Sequence, residues 1–178
     1  MQTSLESSIT FSGIGLHSGR EVTLTLKPAS ENYGILFKRI DIQIGNPFVR
    51  ARWDYVSETT LCTKVKNEDG TVVSTIEHLM AALSGCGVTN ALIEIDSEEV
   101  PILDGSAAPY VKQILEVGLK KISSSSRIIR ITRPVIFENQ SGWASLTPHN
   151  RPEMEYFIDF DDCVIGKQSK VLLSLIHI

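Results

Sequence analysis

Ser74-Thr75-Ile76-Glu77-His78-Leu79-Met80-Ala81-Ala82-Leu83 is the stretch on which the reading of this chain turns. Ile76, Leu79, Met80 and Leu83 fall at i, i+3, i+4 and i+7, the spacing of a helix with one buried face. Gly85 and Gly87 follow and predict its end. Glu77 and His78 lie off that apolar stripe, on adjacent flanks near the helix start. Two readings of the pair stand side by side. In one, Ser74-x-x-Glu77 is a capping box, with Glu77 reaching back to the N-cap amide and His78 an ordinary surface histidine. In the other, His78 is a metal ligand and Glu77 the base beside it, with Ala81 and Ala82 leaving room one turn on. The positive end of the helix favours neutral imidazole and an ionised carboxylate, which suits the second reading.

Outward from this helix, Glu21–Lys27 alternates polar and apolar residues and predicts a half-buried strand ended by Pro28. Gly34–Lys38 and Asn90–Asp96 are further strand candidates. Asp104-Gly105-Ser106 reads as a turn, with Asp104 or Ser106 capping a second helix from about Ala108 to Lys120, Pro109 lying in its first turn. Ser123–Ser126 is the linker candidate, and strands are expected again at Arg127–Thr132, Trp143–Thr147 and Glu155–Phe160. The fold class is therefore α+β, with one domain over residues 1–122, a linker over 123–126 and an incomplete second domain over 127–172. Residues 173–178, Leu-Ser-Leu-Ile-His-Ile, can be written CTG TCT CTT ATA CAC ATC, a string that matches a transposon-end sequencing adapter. They are read as a non-native tail, the alternative being a natural apolar strand, and His177 is assigned no function.

The totals narrow the classes. A chain of 178 residues with 42% hydrophobic residues has enough apolar mass for a core. A net charge of −4 leaves no basic field, which disfavours a nucleic-acid partner. Cys62, Cys86 and Cys163 are odd in number and scattered, which argues for a reducing compartment rather than a disulfide scaffold. With no signal-peptide pattern and no membrane-length apolar run, the expected location is cytoplasmic. H-E-x-x-H and H-x-x-E-H are both absent, so any further metal ligands must come from elsewhere.

Several segments together carry a family resemblance. They are Gly13-Ile-Gly15-Leu16-His17-Ser18-Gly19, Thr60-Leu61-Cys62-Thr63, the helix from Ser74 to Leu83, Glu99-Val100-Pro101-Ile102-Leu103-Asp104-Gly105-Ser106-Ala107-Ala108-Pro109, and Tyr156–Phe160. In this order and spacing they resemble the N-terminal part of the UDP-3-O-acyl-N-acetylglucosamine deacetylases, zinc amidases of lipid A biosynthesis. The resemblance covers about Ser7 to Phe160. It implies two similar domains, each a two-layer sheet-plus-helices unit of the ribosomal protein S5 domain 2-like type. It implies Glu77 as general base and His78 as one zinc ligand, with iron(II) an alternative metal.

Leu61 and Cys62 match a loop near the family's metal and acyl passage, and Leu16 matches a segment beside the same cleft. The plain reading of Cys62 is a small core residue, and that of His17 a structural one. The implied substrate is UDP-3-O-(3-hydroxyacyl)-N-acetylglucosamine, whose acyl chain brings transient contact with a membrane surface. The expected state is a monomer. The family's other two zinc ligands and its further catalytic groups belong to segments this sequence does not show, so the chain alone is expected to be inactive. The alternative is a non-catalytic α+β binding module that keeps the first-domain scaffold.

Overall fold

The computed structural model describes residues 1–140 and 142–173. The chain divides into two compact units, one from Met1 to Ser126 and one beginning at Arg127. In chain order the strands of the first unit are β1 (Gln2–Leu5), β2 (Ile9–Ile14), β3 (Glu21–Pro28), β4 (Ile35–Arg39), β5 (Phe48–Arg50), β6 (Val56–Glu58), β7 (Lys64–Lys66), β8 (Val72–Val73), β9 (Ala91–Ile95) and β10 (Leu119–Ile122). Helices α1 (Glu77–Cys86) and α2 (Ala108–Val117) lie either side of β9 in the chain.

The main sheet has the order β2-β3-β9-β4-β5. β9 is its centre, antiparallel to β3 with Leu26 opposite Ile93, and parallel to β4 with Phe37 opposite Ile93. The alternation in β3 buries Val22, Leu24 and Leu26 and leaves Glu21 and Thr23 in solvent. One face of the sheet is thus apolar. Leu79, Ala82 and Leu83 of α1 and Tyr110 and Ile114 of α2 join that face in a single core cluster. Phe11 and Tyr110 pack with ring centroids 4.7 Å apart. The Tyr110 hydroxyl donates to the Pro101 carbonyl, satisfying the one polar atom this ring takes into the core. Two smaller sheets complete the unit: β6-β7-β8, and the pair β1-β10.

Two expectations need correction here. The second helix stops at Val117 rather than near Lys120, because Gly118 takes a φ of 89° and ends the turn. Residues 119–122 then form β10 against β1, a strand the sequence pattern did not predict. Arg127–Thr132 forms no strand: Ile128 and Ile129 are 85% and 87% exposed, with no neighbouring strand to offset the cost of ordering them. At the end of the first unit, the Ser124 carbonyl accepts from the Gln2 amide at 3.0 Å and the Ser125 carbonyl from Gln2 Nε2 at 2.9 Å.

The second unit has β11 (Val135–Asn139) paired with β12 (Gly142–Leu146), and β13 (Glu153–Asp159) paired with β14 (Lys167–Leu173). Trp143 and Phe157 join the two hairpins, with ring centroids 6.2 Å apart. Of the tail expected to be non-native, Leu173 ends β14, and residues 174–178 lie outside the described residues.

Candidate active site

Helix α1 begins abruptly. Thr75 has φ 56°, a left-handed conformation that is rare for a β-branched residue, and Ile76 follows in the right-handed region. Glu77 is therefore the first helical residue and His78 the second, both half-buried. The capping box read from Ser74-x-x-Glu77 does not form. The reversal at Thr75 turns Ser74 away from the helix, and its hydroxyl donates to the Glu98 carbonyl at 3.0 Å. Ser74 is instead strand-like, its amide donating to the Glu98 carbonyl at 2.8 Å and its carbonyl accepting from Val100 at 3.1 Å.

The Glu77 carboxylate is held from the other side. Its Oε2 accepts the Thr63 amide at 2.9 Å, and the Thr63 carbonyl accepts the Ile76 amide at 3.3 Å. This two-way clasp docks the Leu61–Thr63 loop onto the helix start. Leu61 carries φ 63° and is 86% exposed. Cys62 is a half-buried free thiol, not the buried core residue of the plain reading. Glu77 Oε1 and the His78 ring take no hydrogen bond among the described residues, so both remain available to a ligand.

A third segment meets the same place. The Gly13–Gly19 stretch turns back at Gly15, which bridges to Pro101, leaving Leu16 59% exposed. His17 Nδ1 lies 2.9 Å from Glu99 Oε1 and 3.3 Å from Thr75 Oγ1, so the structural reading of His17 describes its contacts. Asp104-Gly105-Ser106 is a turn in which Asp104 Oδ1 accepts the Ser106 amide at 2.8 Å. Ser106 Oγ accepts the amide of Ala108, the first residue of α2, at 3.1 Å.

Sequence reasoning gave Glu99 no role of its own. Glu99 is 1% exposed, yet it is ionised. Burial alone would raise its pKa, but hydrogen bonds from the His17 and Ser18 backbones and side chains outweigh that and lower it to about 2. A single glutamate before Val100-Pro101 has no periodicity or spacing to mark it. The only sequence trace is Gly15, where a Cβ would stand 2.5 Å from Glu99 Oε2 and 2.2 Å from Ser18 Oγ.

Among the described residues there is no cluster of three His, Cys, Asp or Glu side chains able to hold a metal. His78 fits as one ligand of a site these residues alone do not complete. No helix among them is long and apolar enough to cross a membrane.

The fold and this site define an α+β protein whose first long helix opens on a carboxylate–imidazole pair clasped between two loops. Residues 2–174 match the family model LpxC, UDP-3-O-acyl N-acetylglycosamine deacetylase, and the chain belongs to that family. It is 44% identical over 167 residues to a UDP-3-O-acyl-N-acetylglucosamine deacetylase of Idiomarina loihiensis, covering 93% of this chain and 54% of that protein. The same name is carried by a relative from Pasteurella multocida, 44% identical with 93% and 54% covered. A third, from Aliivibrio fischeri, is 41% identical with 97% and 56% covered. The chain thus spans about half the length of the curated relatives it matches.

Proposed function

We propose that this chain is the base-bearing half of a deacetylase that hydrolyses the acetamide of UDP-3-O-(3-hydroxyacyl)-N-acetylglucosamine in lipid A biosynthesis. The observation that carries the reading is the Glu77–His78 pair at the start of α1, anchored by Thr63 and with Glu77 Oε1 and the His78 ring unbonded among the described residues, in a chain the family matches over residues 2–174. His78 serves as one ligand of a zinc site, iron(II) being the alternative ion. A metal bound there supplies Lewis-acid polarisation of the water and the amide carbonyl. Glu77 uses Oε1 to take the proton of the attacking water, while the Thr63 amide keeps Oε2 from swinging away. Water adds to the acetamide carbon, the C–N bond breaks, the amine receives a proton, and acetate leaves.

Leu16 and Leu61, exposed on the two loops flanking the pair, offer apolar surface to the acyl chain, which also brings the protein to a membrane surface transiently. The first unit is of the ribosomal protein S5 domain 2-like type, consistent with its sheet covered by α1 and α2. The protein acts in the cytoplasm as a monomer. With His78 the one imidazole assigned to the metal and no set of three ligands among the described residues, the chain by itself has little or no activity.

Two assays test this. Incubating the 178-residue chain with zinc and the UDP-linked substrate should give no measurable acetate, and turnover like that of an intact relative refutes the claim of inactivity. In the complete protein, E77Q should lower kcat by about 10²- to 10⁴-fold while metal content stays unchanged. H78A should lose metal. Retained metal in H78A would remove the ligand assignment.

A further inference from the structure

Glu99 is the one nearly fully buried carboxylate in the first unit, and all of its contacts lead toward the candidate site. Its Oε1 accepts the Thr75 hydroxyl at 2.8 Å and the His17 amide at 3.0 Å, and lies 2.9 Å from His17 Nδ1. Its Oε2 accepts the Ser18 amide at 2.8 Å and lies 3.2 Å from the His17 amide. Two isolated bridges flank it: Ser74 pairs with Glu99 itself, and Gly15 pairs with Pro101. The carboxylate thus fills a socket whose walls are the Gly15–Ser18 turn and Thr75.

Thr75 is the residue that needs holding. Its left-handed conformation, φ 56°, is strained for a β-branched residue and persists only where surroundings over-determine it. Thr75 is 2% exposed, and its hydroxyl is tied to Glu99 Oε1. Two residues later stands Glu77 and then His78. Were Thr75 to relax to an ordinary β conformation, Ile76 would leave the Thr63 carbonyl and the helix start would be re-aimed.

We propose that Glu99 is a positioning residue for the Glu77–His78 pair: its buried carboxylate holds Thr75 in the left-handed turn that launches α1 and sets where both side chains point. The proposal rests on the reading of Glu77 as base and His78 as metal ligand. Glu99 touches neither substrate nor metal. It acts through Thr75, and the His17–Ser18 amides keep the carboxylate itself in place. Gly15 is small because this socket is full.

The test uses the whole 178-residue chain, isotopically labelled, in wild-type form and as E99Q, T75V, T75G and the double variant E99Q/T75G. Three signals are read by NMR: the backbone coupling and carbon shifts of residue 75, hydrogen exchange of the His17 and Ser18 amides, and the His78 ring nitrogen shifts on titration with zinc chloride. In E99Q, residue 75 should lose its left-handed signature and the two amides should exchange at least about tenfold faster. The zinc-induced shift at His78 should weaken several-fold. Exchange at Leu24 and Ile93 should not change. T75V keeps Glu99 and removes only the hydroxyl, so it should reproduce the loss at residue 75 even if E99Q does not fold. Glycine adopts the left-handed turn unaided, so E99Q should cost the zinc response much less in the T75G background.

The proposal is overturned if E99Q or T75V leaves residue 75 left-handed, or if T75G fails to relieve the effect of E99Q on His78. A wild-type chain whose His78 ignores zinc leaves the metal reading to the complete protein, where metal retention in H78A decides it. The hold of Glu99 on Thr75 is reported by the coupling and exchange data without any metal.

Discussion

The two units of this chain treat their apolar residues in opposite ways. In the first, Leu24, Phe37, Leu79, Ile93 and Tyr110 are each fully buried, and sheet and helices share one cluster. In the second, Ile136, Phe137, Trp143 and Phe157 are 71%, 64%, 61% and 51% exposed, although the hairpins that carry them have regular registers. Both units form strands, but only the first covers one. Backbone pairing satisfies the amides in either case, while the stabilising term that scales with buried apolar area belongs to the first unit. Isolated two-stranded hairpins are marginal in water. Strand formation and independent stability are therefore separate properties here.

The largest expected difference is in hydrogen exchange. Amides of β3 and β9 should be protected by several orders of magnitude more than those of β13, because core strands open only with the whole unit. Protection through Glu153–Asp159 equal to that of Ala91–Ile95 would erase the contrast and favour a self-sufficient binding module. Core substitutions come next. Leu79→Ala should destabilise the first unit by about 2–5 kcal/mol in chemical denaturation. Phe157→Ala should change stability by under about 1 kcal/mol, and a loss as large as that of Leu79→Ala would show a hidden core in the second unit.

A pH dependence follows from Glu99. Its pKa is held at about 2 in the folded chain against an ordinary 4.5, so the folded state favours the ionised form. The resulting stabilisation, on the order of 3 kcal/mol, is fully present above about pH 4.5 and is lost as pH falls toward 2. Acid titration of E99Q should lack that part of the decline. If the wild-type and E99Q curves run parallel between pH 4.5 and 2, the carboxylate is not the stabilising anion its contacts describe. The smallest expected effect is at Ile128, where Ile128→Lys should leave stability within about 0.5 kcal/mol.

Much of the first unit was legible in residue order. The alternation of Glu21–Lys27 marks β3, and the i, i+3, i+4, i+7 stripe marks α1 to within a turn at its end. What escaped depends on partners distant in the chain. Gln2–Leu5 is too short to announce itself and becomes a strand only because residues 119–122 lie beside it. Arg127–Thr132 shows the reverse, a strand-like composition without a partner. At the candidate site, Glu77 and His78 stood out because they sit beside a periodic stripe. Their support did not, because the left-handed Thr75 and buried Glu99 depend on contacts from residues 15–18 and 98–101. The S-x-x-E pattern misled for the same reason, since a tertiary pairing of Ser74 with Glu98 and Val100 displaced a local cap.

The β1–β10 pair has a topological consequence. Gln2 lies opposite Ile122, and its amide reaches the Ser124 carbonyl, so the polypeptide enters and leaves the first unit at one corner. A unit with adjoining ends can be cut elsewhere and rejoined there. A circular permutant opened at the exposed turn of Gly70, with Met1 joined to Ser126 by a few residues, would keep every layer of the core while giving that unit different ends.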